Sequence, residues 1–197
     1  MPSYSIPGAA GQAEVRDRGS VFLAVISPVA SEEEARAGLA AVERKYPDAT
    51  HHCWAWRLGA EGRERSSDAG EPAGTAGKPM LQVLRGAEIS DVLAVGVRWF
   101  GGTKLGKGGL ARAYAASVRE ALLGLPREVR ASRRRLVLDV PYEKIGAVKR
   151  LIQRPTVVLE SESYGESVRL DLAVIEESEA ALRAALADLQ VEPVTEP

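Results

Sequence analysis

The sequence has 197 residues and a mass of 21.1 kDa, which is enough for one ordinary domain or two small ones. Hydrophobic residues make up 45% and charged residues 27% of it, which excludes a wholly disordered chain and a collagen-like repeat. The net charge is −1, but residues 1–150 carry 23 basic against 17 acidic side chains and residues 151–197 carry 3 against 10, so we expect an anionic partner for the first part.

No apolar run approaches the ~20 residues that a transmembrane helix needs, so no membrane partner is expected. The first residues lack the basic start and apolar stretch of a secretory signal. The single cysteine, Cys53, cannot form an intrachain disulfide, and with only His51 and His52 beside it a structural zinc site is not expected. We therefore predict a cytoplasmic protein without a metal or other cofactor.

The first 20 residues are rich in Gly, Pro and small polar types with no period, which predicts a loose lead-in. The apolar run Val21–Ile26 predicts a buried strand. Ser31 and Glu34 form a capping box that begins a helix, and Pro47 ends that helix.

The alternating segment His51–Leu58 predicts a second strand, with Trp54 and Trp56 on one face, where we expect them to pack in the core. Further along the chain, Lys78 and Pro79 open a short helix through Gly86. The apolar segment Val92–Arg98 predicts a third strand.

Residues 68–77, DAGEPAGTAG, form a loop, because they contain too many glycines and too little bulk for a regular element. Asp68 and Glu71 could act as an acid, a base or metal ligands together with His51 or His52. The structural alternative is that Glu71 accepts backbone N–H bonds and pins the loop. We favour this structural role over catalysis, and likewise packing over ligation for the histidines.

Residues 101–109, GGTKLGKGG, contain five glycines in nine positions and run into a helix whose apolar stripe begins at Leu110. Backbone N–H groups, two ammonium groups and a helix N-terminus are the parts of an anion site, although the glycines could also serve only a tight turn. We favour anion binding, because every charge from residue 92 to residue 119 is positive. The predicted phosphate- or nucleic-acid-binding residues are Arg98, Gly101, Gly102, Lys104, Lys107, Gly108, Gly109 and Arg112.

Pro126 ends this helix, and the arginine-rich segment Arg127–Arg135 suggests a linker, so we place a domain boundary near residue 130. The alternation beyond it predicts a ferredoxin-like α/β sandwich, whose fourth strand would be short or at an edge because Pro193 interrupts it. The predicted organisation is thus a lead-in (1–20), a first domain (21–130) and a second domain (131–197). The elements predicted for the second domain are strand Leu136–Val140, helix Glu143–Gln153, strands Thr156–Ser163 and Glu166–Val174, helix Glu177–Gln190 and strand Val191–Val194.

Two motifs together resemble a known family: DAGEPAGTAGKPML at residues 68–81 and RWFGGTKLGKGGLARAY at residues 98–114. They are similar to the Impact family, in its bacterial, YigZ-type branch. The similarity covers residues 15–125, and residues 130–197 resemble the small C-terminal domain of bacterial members. It implies an α/β domain of the ribosomal protein S five domain-two type, similar to domain four of elongation factor G, followed by a ferredoxin-like domain similar to the last domain of that translocase.

For eukaryotic relatives, which carry an additional domain, the resemblance implies regulation of translation through a partner of a kinase that acts on an initiation factor. This sequence departs from the family pattern at Ala69, usually a second Asp, and at Ala73, usually Ser, which puts in doubt any chemistry that needs both acids.

The leading prediction, by analogy of fold, is a non-enzymatic regulator of translation that binds RNA, the ribosome or a translation-related protein through the glycine-rich basic loop. The alternative is a small-molecule enzyme, a hydrolase or phosphotransferase, that holds phosphate on that loop and uses Asp68 or Glu71 as base or metal ligand. A third is a protein-interaction module, in which the acidic second domain meets a basic partner and the loop is structural.

Overall fold

The computed structural model describes residues 3–194, which fall into two compact units. Residues 4–130 form the first unit, and residues 131–194 with Ser3 form the second. None of the helices in residues 3–194 has the length and hydrophobicity of a membrane-spanning segment.

The first unit is built on a five-stranded sheet in which all neighbouring strands are antiparallel. A separate two-stranded sheet pairs β1 (Ser3–Pro7) with β7 (Arg127–Ala131). The strands of the main sheet, in spatial order, are β2 (Gly11–Asp17), β3 (Ser20–Pro28), β6 (Val92–Trp99), β4 (His51–Leu58) and β5 (Arg63–Ser67).

Three helices cover both faces of this sheet, which is why the central strand β6 is buried along almost its whole length. Helix α1 (Glu32–Lys45) begins where the Ser31 side chain accepts a hydrogen bond from the Glu34 N–H at 3.1 Å, as the capping box predicts. It packs in one apolar cluster with Trp56, Leu93 and Val95. Helices α2 (Gly77–Gly86) and α3 (Gly106–Leu123) pack in a second cluster with Phe22, Cys53 and Ala55. The alternation of β4 directs both tryptophans to the α1 cluster, where Trp56 is buried as predicted and Trp54 is half-buried against it.

The second unit has a three-stranded antiparallel sheet in the order β8 (Arg133–Val140), β10 (Val168–Ile175), β9 (Val157–Tyr164). A short 3₁₀ turn, Tyr142–Lys144, leads into helix α4 (Ile145–Ile152), and helix α5 (Glu176–Asp188) follows β10. The helices bury one sheet face around Leu138, Leu170 and Leu182. The fold class predicted from the sequence, α/β with a ferredoxin-like second unit, is confirmed.

The predicted fourth strand of that unit is reduced to one isolated bridge, between Pro193 and Leu138 of β8. Its position beside β8 is the one that a ferredoxin-like order requires. Proline has no N–H to donate to a ladder, so the pairing does not extend.

The lead-in expected over residues 1–20 is wrong where the structure describes it, because β1 and β2 occupy most of it. Strand β2 pairs with β3 through a two-residue turn in which Arg18 and Gly19 both have positive φ, 45° and 79°. This is the turn geometry that matches the twist of a tight hairpin. Pairing with β3 therefore makes residues 11–17 a strand, although their composition does not predict one.

Two other predictions from the sequence differ from the structure. The arginine-rich linker Arg127–Arg135 is mostly strand, in β7 and the start of β8, because backbone pairing does not depend on the charge of outward side chains. The glycine-rich loop is shorter than expected, since α3 begins at Gly106 and includes Lys107, Gly108 and Gly109. Strand β5 was also not predicted, and it forms by pairing with β4.

Candidate functional site

Two loops of the first unit border a pocket of about 420 Å³. The β5–α2 loop comprises residues 68–76, and the β6–α3 loop comprises residues 100–105. The pocket brings together parts of both predicted sites. It is lined by Thr50, His51, Glu71, Pro72, Arg98, Phe100, Lys104, Leu105, Gly106, Lys107 and Leu110.

Asp68 holds the β5–α2 loop in shape. Its carboxylate accepts backbone hydrogen bonds from Gly74 at 2.7 Å, from Ala76 at 2.9 Å and from Gly77 at 2.8 Å, at the start of α2. Partial burial raises the pKa of Asp68, but these bonds and the nearby Lys78 outweigh it, and the pKa is lowered overall. The structure thus gives Asp68, rather than Glu71, the loop-pinning role, and it leaves Asp68 poorly suited to act as a base.

Glu71 lies at the floor of the pocket in a buried ion pair. Its Oε1 accepts hydrogen bonds from Nη1 of Arg98 at 2.7 Å and from the Tyr114 hydroxyl at 2.8 Å. Glu71 and Arg98 are only 8% and 6% exposed. Arg98, predicted from the sequence as a phosphate contact, is therefore a partner of Glu71 inside the fold and not a free surface cation.

Tyr114 and Cys53 extend this network into the core. The Cys53 thiol donates to the Asp68 carbonyl at 2.9 Å and lies 3.5 Å from the Tyr114 hydroxyl. Burial raises the pKa of the Cys53 thiol to about 12, and burial likewise raises the pKa of Tyr114. Both groups are therefore neutral at physiological pH. Tyr114 reaches Glu71 because its ring lies against Gly96, where a Cβ would come within 2.8 Å of the ring.

Gly101, predicted as an anion contact, has a structural role that explains why this position is a glycine. A Cβ on Gly101 would lie 1.9 Å from the carbonyl carbon of Gly19, so the two backbones touch. The Gly101 N–H also donates to the Ser20 side chain at 3.1 Å. The β2–β3 turn therefore holds the start of the β6–α3 loop in place.

Two of the remaining glycines of the predicted site, Gly102 and Gly108, face open space. Gly102 has a φ of 85° with nothing near its Cβ position, and Gly108 has only the tip of Arg112 nearby, at 3.4 Å. Gly109 packs against Leu105, where a Cβ would approach to 2.9 Å. No side chain among the described residues caps the N-terminus of helix α3. Its first N–H groups are therefore free to bind an anion.

Lys104, Lys107 and Arg112 are exposed around that helix start. In the described part of the chain none of the three forms an ion pair or a hydrogen bond with another side chain. They form what we call the cationic cluster: Lys104, Lys107 and Arg112. It is the part of the predicted binding site that keeps its charges directed to solvent.

His51 lines the pocket and joins β4 to the β5–α2 loop. Its Nδ1 lies 3.0 Å from the Ala69 carbonyl, which can only accept, so Nδ1 carries the hydrogen. His52 points to the opposite face and lies 3.0 Å from the Tyr46 carbonyl. Among residues 3–194 no three His, Cys, Asp or Glu side chains are placed to hold a metal ion.

Sequence reasoning missed two side chains of this site, Tyr114 and Phe100. Tyr114 was recognised only as part of the apolar stripe of α3, since nothing in the sequence shows that its hydroxyl meets Glu71, which lies 43 positions earlier. Phe100 is 47% exposed at the pocket, beside the glycines that attracted the prediction. An exposed aromatic residue next to a cationic glycine loop was the available signal.

Comparison with known proteins supports the motif-level resemblance. The family model of the Impact N-terminal domain matches residues 18–122, and that of a domain of unknown function (DUF1949) matches residues 138–189. An IMPACT family member of Haemophilus influenzae is 35% identical over 95% of this chain and 93% of its own. YigZ of Escherichia coli is also 35% identical, over 95% of this chain and 94% of its own.

Two solved structures are also similar. A crystal structure described as a hypothetical protein is 32% identical, with a TM-score of 0.83, and covers 100% of this chain and 98% of its own. The two-domain translational regulator Yih1 is 31% identical over 59% of this chain and 46% of its own, with a TM-score of 0.40. The two family models and the relatives of nearly equal length show that this chain belongs to the Impact family.

Proposed function

We propose that this protein regulates translation by binding RNA, free or within the ribosome, through the cationic cluster and the first turn of α3. The observation that carries the proposal is the position of Lys104, Lys107 and Arg112, which are exposed and unpaired within the described chain, beside a helix N-terminus without a side-chain cap. Ammonium and guanidinium groups placed around free backbone N–H groups bind phosphate oxygens.

The family supports the translational part of the proposal. The relative Yih1 is described as a translational regulator. The family resemblance of the sequence also implies domains similar to those of elongation factor G, which favours the same process, although such an analogy of fold does not identify a site.

The alternative of a small-molecule enzyme that uses Asp68 as its base is less well supported. Both carboxylate oxygens of Asp68 already accept backbone hydrogen bonds. The pKa of Asp68 is also lowered, which makes it a weaker base.

Binding to purified ribosomes and to a 12-nucleotide RNA, measured over a series of salt concentrations, tests the proposal. The double variant Lys104→Ala/Lys107→Ala should bind more weakly and show a shallower dependence of log affinity on log salt, by about 0.7 for each lost contact to a single strand. Arg44→Ala/Lys45→Ala is the matched control, because it removes the same charge from two exposed positions at the end of α1, which packs in the other apolar cluster of the first unit.

The proposal is contradicted in either of two ways. Wild-type protein that binds neither ribosomes nor RNA at low salt would exclude an RNA-binding role. An equal loss of affinity in the control variant would show that net charge, and not this cluster, is responsible.

A further inference from the structure

The floor of the pocket carries buried polar groups that the described residues leave partly unpaired. Arg98 donates to Glu71 from Nη1, and no other residue in 3–194 accepts from its guanidinium, whose Nε is buried without a partner. Glu71 receives both of its hydrogen bonds on Oε1, so Oε2 has no donor in the described chain. Buried polar groups in proteins are normally hydrogen-bonded, so unpaired groups beside a pocket point to a ligand.

The walls and mouth of the pocket indicate the shape and charge of that ligand. Pro72, Leu105 and Leu110 provide apolar walls, and the ring of Phe100 lies at the mouth. The Arg98 Cζ is 5.4 Å from the centroid of that ring. Lys104 and Lys107 also line the opening, and they bring positive charge. A flat apolar group that carries hydrogen-bonding edges and an attached anion fits all of these features.

We propose that this pocket takes a single unstacked nucleobase together with its phosphate. Phe100 stacks on the face of the base, Arg98 and Glu71 bind its edge, and Lys104 and Lys107 bind the phosphate. Nucleobases present adjacent donors and acceptors on their edges, and unpaired RNA bases are bound by stacking on aromatic side chains combined with hydrogen bonds to these edges. The pocket volume of about 420 Å³ lies within the range of small-ligand sites.

This inference rests on the proposed function and names the part of the RNA that the site holds. The same chemistry is present in a free nucleoside monophosphate. The cationic cluster by itself would bind any phosphodiester backbone, whereas the pocket requires a base. The two proposals can therefore be tested separately.

The experiment compares a 12-nucleotide RNA with an abasic ribose–phosphate chain of equal length, each titrated with the full-length protein. We expect the abasic chain to bind more weakly. Phe100→Ala should weaken RNA binding roughly 5- to 150-fold, the range for loss of one stacked base, and leave abasic binding unchanged. Leu123→Ala is the control, because Leu123 is 73% exposed on the same unit and lies outside the pocket.

Phe100 is about half exposed, so its replacement should leave the fold intact, which circular dichroism would check. The pocket proposal is overturned if RNA and abasic chain bind equally and Phe100→Ala has no effect, while loss of Lys104 and Lys107 still weakens binding; the proposed function then stands. If neither polymer binds, the proposed function fails. Titration with the four nucleoside monophosphates then tests whether the pocket binds a base. Saturable binding that Phe100→Ala weakens supports the pocket proposal, and absence of binding overturns it.

Discussion

The β5–α2 loop and the β6–α3 loop border the same pocket, but they use their charged side chains differently. In the first loop Asp68 binds three backbone N–H groups and Glu71 binds Arg98 and Tyr114. In the second loop and the helix start that follows it, Lys104 and Lys107 are exposed and make no such bonds within the described chain.

The difference shows that the charged residues of a loop motif can either support the fold or remain available to a partner. Charges that are paired inside the fold are costly to remove one at a time, because the partner is then left buried and unpaired. Charges directed to solvent contribute little to stability and remain available to a partner. Both loops are rich in glycine and both match family motifs, so the sequence pattern alone does not separate these roles. Variants of the β5–α2 loop should therefore change mainly the free energy of unfolding. Variants of Lys104 and Lys107 should change mainly RNA binding.

The largest effect is expected for Glu71→Ala. Removal of Glu71 leaves the Arg98 charge buried without its partner, which should lower the free energy of unfolding by about 3–5 kcal/mol. Urea denaturation followed by tryptophan fluorescence measures it, because all three tryptophans lie in the first unit. The double variant Glu71→Leu/Arg98→Leu should lose less, since it removes both charges. Equal losses in the two variants would show that packing, and not the unpaired charge, is responsible.

A smaller loss is expected for Gly101→Ala. Its Cβ would lie 1.9 Å from the Gly19 carbonyl carbon, so the backbones must separate, at a cost of about 3 kcal/mol. Gly108→Ala is the matched comparison, because Gly108 lies in α3 with only the Arg112 tip nearby. It should be neutral or stabilise by up to about 1 kcal/mol. The same denaturation measurement checks both variants, and a tolerated Gly101→Ala would contradict the close contact.

Asp68→Ala should lower the free energy of unfolding by about 1–2 kcal/mol, as expected when the group that caps a helix start is lost. The effect should depend on pH. The pKa of Asp68 is lowered in the folded protein, so its stabilisation is present above the unfolded pKa near 3.8 and is lost as pH falls through the folded pKa. The difference between wild type and variant should therefore shrink when unfolding is measured at pH 3 instead of pH 7. A difference that is constant with pH would contradict the charged role of Asp68.

The smallest effect on stability is expected for Lys104→Ala/Lys107→Ala. Both side chains are exposed, so the free energy of unfolding should change by no more than about 0.5 kcal/mol. RNA binding by the same variant should nevertheless weaken. A destabilisation comparable to that of Asp68→Ala would show that the two loops do not differ as described.

Much of the fold followed from local patterns in the sequence. Strand β4 occupies the residues that its alternation predicted, His51–Leu58, and Ser31 caps α1 as its spacing with Glu34 predicted. The ferredoxin-like second unit also followed from alternation, and its last strand is short, as the position of Pro193 predicted. These features depend on neighbours within a few positions, where period, capping and turn chemistry act directly.

The site depended on contacts between distant positions. Glu71 meets Arg98 from 27 positions away and Tyr114 from 43, and Gly101 meets Gly19 at the end of the β3–β6 strand pair. Sequence reasoning placed Arg98 among the free cations and gave Glu71 the bonds that Asp68 makes, because composition shows which charges are present and not which are paired. The sequence by itself thus determined the central strands and the helices, the family and the cationic character of the second loop. Only the tertiary structure decided which charges are buried together and which face a partner, since pairing is set by how the sheet and α3 pack.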